Sequence, residues 1–430
     1  MEPIVLHWVG ALAGLALAIF LIFKKLNPVY ALFAGALVGG LLGGANIEDT
    51  VSIIIAGTNS VMPAVVRVLA AGVLAGILIE SGAAEKIAET IVIKLGEKKA
   101  ILAITLAAMI ITAVGVFVTV SIIIVAPIAL SVAKRAGIHK MAILLSMIGG
   151  GKAGNIISPN PNTIAVAKGF NVDLASVMVY GFIPAIAGLL TTLIVARLIK
   201  GKGEEIAEAD LSLESSETEK PSFLTAMVAP VVAIILLGIS PIGNILNIEA
   251  LASFQIDSMI ILPLAGILGL IAMGKARKII DYTASGLNKM TGVAILLIGA
   301  GAIAGIISQS DLSGVIVSGI EATGISGTFL APIAGILMGA ATASTSTGSI
   351  VAAGTFGEAI LAMGVAPISA AVMVHTGATV LDHLPHGNFF HVTAESVKMN
   401  IQNRMGLIPY ETIIGLSMTI VATVLYGFLF

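Results

Sequence analysis

Two stretches about half the chain apart interrupt long apolar segments with the same irregular punctuation. Gly151-Lys-Ala-Gly-Asn-Ile-Ile-Ser-Pro159-Asn-Pro-Asn162 is echoed by Gly377-Ala-Thr-Val-Leu-Asp-His-Leu-Pro385-His-Gly-Asn388, so Gly, Pro and Asn recur at an offset of 226 residues. In hydrocarbon, proline and polar residues leave backbone groups without partners, and a chain keeps such breaks only around a cavity that satisfies them. Interruptions at corresponding positions of two halves mark the binding site of a secondary transporter.

Composition supports a membrane class. Hydrophobic residues make up 57% of the chain and charged residues 11%, with a mean hydropathy of +1.08, whereas a soluble domain carries roughly 25% charged residues. We therefore expect an all-α polytopic protein of the inner (cytoplasmic) membrane, in contact with the lipid bilayer. A net charge of −2 provides no basic face for nucleic acid. The chain has no Cys, and its six His are too scattered for a metal cluster, so neither disulfide, metal nor cofactor is expected. Ile4 to Phe23 is followed by Lys24-Lys25 and not by a small-residue cleavage site, which reads as a retained span.

Lys and Arg cluster at 24–25, 86–99, 134–140, 197–202, 275–289 and 398–404, whereas 221–274 and 290–397 contain none. The positive-inside rule places the clusters in the cytoplasm. Spans near 4–23, 29–45, 61–80, 174–199, 223–246, 257–274, 291–308 and 409–430 then alternate with both termini outside. Segment 100–133 is broken near Gly115 to Ser121 and has cations at both ends, which predicts a re-entrant hairpin entering from the cytoplasm. Segment 326–363 is broken at 342–349 and has cations at neither end, which predicts its mirror entering from outside.

A second repeat signal, Ala71-Gly-Val-Leu-Ala-Gly-Ile77 against Ala300-Gly-Ala-Ile-Ala-Gly-Ile306, has an offset of 229. The chain thus divides into two inverted repeats, 1–200 with hairpin 100–133 and broken helix 141–170, and 223–430 with hairpin 326–363 and broken helix 366–392. Between them, 201–222 holds seven of the 24 acids and reads as a mobile cytoplasmic connector.

Glu80-Ser-Gly-Ala-Ala-Glu-Lys-Ile-Ala-Glu-Thr90, Leu95-Gly-Glu-Lys98, Val116-Phe-Val-Thr-Val120, Pro127-Ile-Ala-Leu-Ser-Val-Ala-Lys-Arg135, Tyr180-Gly and Ala341-Thr-Ala-Ser-Thr-Ser-Thr-Gly-Ser349 carry a resemblance to the gluconate:proton symporter (GntP-type) permeases of the ion transporter superfamily. His383 falls on the His of that family's Ser-His-Val-Asn-Asp motif. The resemblance implies proton symport of a small hydroxy-carboxylate and, from the wider superfamily, a homodimer with elevator-type movement. Thr119 stands where an acid is expected in the first hairpin tip, Ile157-Ser-Pro-Asn-Pro-Asn-Thr163 stands where the family often reads Leu-Pro-Pro-His-Pro-Gly-Pro, and Pro385-His386 replaces the Asn-Asp that follows the motif's His. Such a site suits a smaller, less hydroxylated acid than gluconate. The run His383 to His391 resembles permeases grouped with short-chain hydroxy acids such as 3-hydroxybutyrate.

Individual residues carry alternatives. Lys152, a cation at membrane depth, pairs with an internal acid, snorkels to the cytoplasmic edge or binds the substrate carboxylate. Arg67 either snorkels outward or meets substrate. Asp382 and His383 form a proton carrier, since histidine titrates near neutrality, or a fixed pair that holds unwound backbone. Ser158, Asn160, Asn162 and Thr163 in the first half, and Thr345, Ser346, Thr347 and Asn388 in the second, supply groups for a hydroxyl or a cation, as do Thr119 and Ser121 in the first hairpin tip. Hydroxyl residues also allow close helix packing. Sodium coupling is the alternative to protons, since these tips keep oxygen ligands. A channel would need a continuous polar path. An enzyme would need a nucleophile and base, for which Asp382–His383 is the only pair.

Overall fold

The computed structural model describes residues 5–211, 219–254, 256–323 and 326–429. Among them, five helices are long and apolar enough to cross a membrane, or six if the pair Leu174–Tyr180 and Phe182–Leu198, bent by 43°, counts as one span. The protein is a multi-pass, all-helical membrane protein.

Its centre is an antiparallel pair, Ile47–Glu80 and Ile279–Ser308. Three glycines on each helix remove the side chains that would hold them apart. A methyl group on Gly57 would lie 2.2 Å from the Gly301 carbonyl oxygen, one on Gly286 would lie 2.1 Å from that of Gly72, and one on Gly76 would lie 2.5 Å from the Gly286 Cα. Such close approach is what small residues provide between membrane helices. Gly57, Gly72 and Gly76 become Gly286, Gly301 and Gly305 at the 229 offset. The contacts exchange under that offset, because Gly57 faces Gly301 and Gly305 while Gly286 faces Gly72 and Gly76. Reciprocal contact is the pattern of a twofold axis.

Both helices run longer than the spans expected at 61–80 and 291–308. At about 1.5 Å per residue, the 34 residues of Ile47–Glu80 reach roughly 51 Å, well beyond a hydrocarbon core of about 30 Å. Polar residues such as Glu48, Asp49 and Asn288 end the hydropathy signal where the bilayer ends, but they do not end the helix.

Beside this pair lie two hairpins and two broken helices, which meet it through Pro161–Gly169 and Thr345–Ala362. Ala100–Ala113 turns into Val118–Arg135, and Leu330–Thr342 turns into Thr345–Ala362. The first turn uses Gly115 at φ +108°, and the second places Ala343 at φ +45°, a left-handed conformation that few side chains adopt. Lys140–Asn155 breaks before Pro161–Gly169, and Pro367–Ala378 breaks before Asn388–Ser396, four residues past the expected end. Proline at 161 fits because its missing N–H falls in a first helical turn, where it would have no partner.

The acidic connector is docked where it is described; 212–218 lie outside the described residues. Lys140 Nζ reaches Asp210 at 3.0 Å and Glu204 at 3.4 Å, Lys398 donates to the Ala209 carbonyl at 2.7 Å, and Glu208 pairs with Lys134. Farther on, Lys220 meets Glu85 at 2.7 Å and Lys275 donates to the Glu219 carbonyl at 2.7 Å. Acidic composition marks the segment as solvated, but here the acids answer lysines at the helix ends. Burial opposes the charge on Asp210, yet the Lys140 hydrogen bond and the Ala207 N–H hold its carboxyl below the usual range. This contact therefore stabilises the fold at neutral pH and is lost as pH falls through that lowered value.

The central pair gives a direct test. Gly286→Leu should destabilise the protein by about 1–3 kcal/mol through overpacking, read as a lower thermal midpoint in detergent. Gly292→Leu, on the same helix with nothing within 4 Å of its added methyl, should be tolerated. Equal midpoints for the two variants would show that the helices do not need that close approach.

Candidate functional site

Four helices begin around one space. Val118–Arg135, Pro161–Gly169, Thr345–Ala362 and Asn388–Ser396 all start at a break, and residues from each first turn line one cavity of about 740 Å³. A helix start carries unpaired N–H groups and about half a positive charge, so four of them favour an anion. The volume suits a small organic ligand.

Thr119, Asn162, Thr345, Ser346, Thr347, Asn388 and Asp382 all line this cavity, as does Asn155, which sequence reading missed. Both hairpin tips thus face one space, together with Lys25 of the loop between the first two helices. The remaining candidates stand behind it or elsewhere. Asn160 caps Pro161–Gly169 by accepting from the Asn162 and Thr163 N–H groups, and its amide donates to the Asn155 carbonyl and side-chain oxygens at 2.7 Å. Ser121 donates to the Ala108 carbonyl at 3.2 Å within the first hairpin. Asn155 Nδ2, Asn162 Oδ1 and Ser158 Oγ are buried without protein partners. Unsatisfied buried polar atoms are costly, and their gathering at the break leaves hydrogen-bonding capacity for a guest.

Directly behind the cavity is a buried charge network. Lys152 is 1% exposed, and its ammonium donates to the Thr379 carbonyl at 2.6 Å, to Asp382 Oδ1 at 2.6 Å and to His383 Nδ1 at 3.0 Å. Three donors meet three acceptors, so no proton of Lys152 is left for a ligand in this arrangement. The same Nδ1 lies 3.2 Å from Asp382 Oδ1, and Nε2 lies 3.2 Å from the Ile408 carbonyl and 3.3 Å from the Thr412 hydroxyl, so the ring's donor and acceptor roles follow its tautomer. The other Asp382 oxygen accepts from the Thr345 hydroxyl. The first broken helix, the second broken helix and the second hairpin tip are therefore tied at one carboxylate.

The network continues into Ile401–Val424. Glu411 Oε2 lies 3.8 Å from His383 Nδ1, and Glu411 receives both terminal nitrogens of Arg404, which also stacks 4.6 Å from the Phe390 ring centre. Both residues are 0% exposed. With His383 neutral, two cations balance two carboxylates. Sequence reading assigned Arg404 to a cytoplasmic cluster and overlooked Glu411; the signal was a lone acid inside the apolar span 409–430.

Arg67 is far from this centre in its contacts. It forms a two-point pair with Asp257, with Nε to Oδ1 at 3.0 Å and Nη2 to Oδ2 at 2.6 Å, and lines a separate cavity. Among the described residues, no group of three or more His, Asp or Glu could hold a metal ion.

A sequence model of the GntP family permeases matches residues 5–429. The chain belongs to this family. This GntP permease is 52% identical to an uncharacterized transporter of Haemophilus influenzae, over 97% of this chain and 98% of that one. It is 25% identical to a high-affinity gluconate transporter of Escherichia coli, over 90% and 91% of the two chains, and 22% identical to that organism's Gnt-II system L-idonate transporter, over 88% and 89%. Its fold is similar to that of the YdaH transporter of Alcanivorax borkumensis, described as having an unusual topology, with a TM-score of 0.66 and 15% identity over 89% of both chains. A family of permeases places the protein among transporters and not enzymes.

The Lys152–Asp382 pair predicts a mutational pattern specific to buried charges. Lys152→Ala should cost about 3–5 kcal/mol by stranding a carboxylate, and the double variant Lys152→Met/Asp382→Leu should recover most of that loss in thermal unfolding. A Lys152→Ala protein as stable as the wild type would mean that the pair does not tie the broken helices together.

Proposed function

We propose that this permease imports a small hydroxy-carboxylate across the cytoplasmic membrane by proton symport. The observation that carries this reading is the convergence of four half-helix starts on one cavity whose wall is Asp382. The substrate carboxylate rests on the N–H groups of the first turns at Val118, Thr345 and Asn388, where the helix dipoles favour it. Asn155, Asn162 and the Thr345–Thr347 hydroxyls read the substrate hydroxyl. The relatives named for gluconate and L-idonate support the acid class.

Lys152 acts as the fixed partner of Asp382 and not as the substrate's counter-ion. His383 stands between two carboxylates, so a proton taken up there adds one positive charge to a balanced network. An anion in the adjoining cavity offsets that charge. Loading of both ligands thus restores neutrality in the buried centre, and a partly loaded carrier keeps an uncompensated charge that opposes movement through the bilayer.

Two copies related by inversion, joined at the glycine-packed helices, suit an elevator in which hairpins and broken helices move against the long pair. The reciprocal glycine contacts support that division, and the wider superfamily supports assembly as a homodimer. A second reading, sodium coupling, draws on the unpartnered oxygens of Asn162 and Ser158 beside the unwound 156–160 segment.

In proteoliposomes, an inward pH gradient without sodium should drive accumulation of a short hydroxy acid. Asp382→Asn and His383→Gln should abolish accumulation while retaining some exchange of labelled for unlabelled substrate, because the loaded form still reorients. Accumulation that survives in both variants would remove the pair from coupling, and a strict sodium requirement would move coupling to the Asn and Thr oxygens.

A further inference from the structure

Of the 22 Lys and Arg residues, only Arg67, Lys152 and Lys168 lie outside the cation-rich clusters and the connector. Lys152 is neutralised at the centre. Arg67 and Lys168 both line a second cavity, about 670 Å³, on the cation-poor face. A topology that excludes positive charge from this face has kept two cations there and set them around one space.

The local pairing singles out Lys168. The cavity's two acids are already engaged. Asp257 holds Arg67 and the Met259 N–H, while Asp173 caps the helix Leu174–Tyr180 through the Ser176 N–H at 2.9 Å and also receives the Ser176 hydroxyl at 3.3 Å. The Lys168 side chain has no ion pair or hydrogen bond among the described residues, and Arg67 keeps its Nη1 free of any such contact there. The cavity therefore sets two cations beside two carboxylates, and the Lys168 ammonium is the charged group there without a side-chain partner among the described residues.

Its position in the fold matches an entrance. Asn27 caps Pro28–Leu42 by accepting from the Val29 N–H at 2.9 Å, and Asp257 caps Ser258–Ala272 by accepting from the Met259 N–H at 2.9 Å, an equivalence at an offset of 230 residues. The Asn27 loop borders the central cavity, and the Asp257 loop borders the second one. Equivalent loops thus border the two cavities, which an inverted relation of the halves puts on opposite faces. Lys168 and Asn162 share the half-helix Pro161–Gly169, so at about 1.5 Å per residue the two sites are only about 9 Å apart along its axis.

We propose that this second cavity is an outer reception site for a small monocarboxylate, with Lys168 as the capturing cation and the free edge of Arg67 beside it. It rests on the reading of the protein as a carboxylate carrier, and adds a distinct site to it. Capture at Lys168 concentrates the anion on the face from which it enters, before the central cavity opens there.

The test is apparent KM measured separately from each face in proteoliposomes of determined orientation, with 3-hydroxybutyrate or gluconate as the probe, whichever the wild type transports. Lys168→Gln should raise the outer-face KM about 5- to 10-fold, the range for a lost charge-assisted hydrogen bond in a partly solvated site, and leave the inner-face KM unchanged. Lys168→Arg should stay close to wild type. An unchanged outer-face KM in Lys168→Gln, or an equal rise on both faces, overturns the site. Wild-type protein that transports neither acid instead overturns the carboxylate reading, and the reception site falls with it.

Discussion

The ion pair between Lys152 and Asp382 is the contact on which the centre depends. Lys152 sits in the last turn of Lys140–Asn155 and Asp382 in the break after Pro367–Ala378, and each would be prohibitively costly alone when buried. Together they convert two discontinuities into one joint. The ammonium also takes the Thr379 carbonyl, at the C-terminal end of Pro367–Ala378, where the helix dipole favours a cation. The C-terminal end of Pro367–Ala378 thereby faces the protein's own lysine, while four N-terminal starts face the open cavity beside the ends of Lys140–Asn155 and Leu330–Thr342.

This sorting explains why the site could be located in the sequence but not fully assigned. Proline, glycine and asparagine at the breaks are local signals, since they mark where a helix cannot continue, and they place Asn162, Asn388 and the Thr345–Thr347 tip at the cavity. Pairing is not a local signal. Lys152 and Asp382 are 230 positions apart, and whether a lysine faces a substrate or a carboxylate is decided only when two halves meet. Glu411 and Arg404 are a sharper case, because His383, the neighbour of Glu411, lies in the break between Pro367–Ala378 and Asn388–Ser396 and hydropathy alone places Arg404 at a membrane edge.

The fold itself was readable to the same extent and for the same reason. Breaks, hairpins and most spans follow from apolar runs and their punctuation. The long central helices and the docked connector do not, because a helix that continues past its apolar run leaves no hydropathy signal and the pairing of Asp210 with Lys140 is a contact between distant segments. Hydropathy reports the solvent a residue prefers; it carries no information on which residue supplies that environment.

The reciprocal glycine contacts also bear on how the chain is made. Ile47–Glu80 presents a groove whose filling helix lies 229 positions downstream, and at synthesis rates of about 5–20 residues per second that partner arrives roughly 10–45 seconds later. During that interval the first half sits in the bilayer with its smallest residues turned toward lipid, which fills a narrow glycine groove poorly. Early folding of this protein is therefore an exposure problem in the membrane, and factors that shield newly inserted helices would act on the first half of the chain before the second exists.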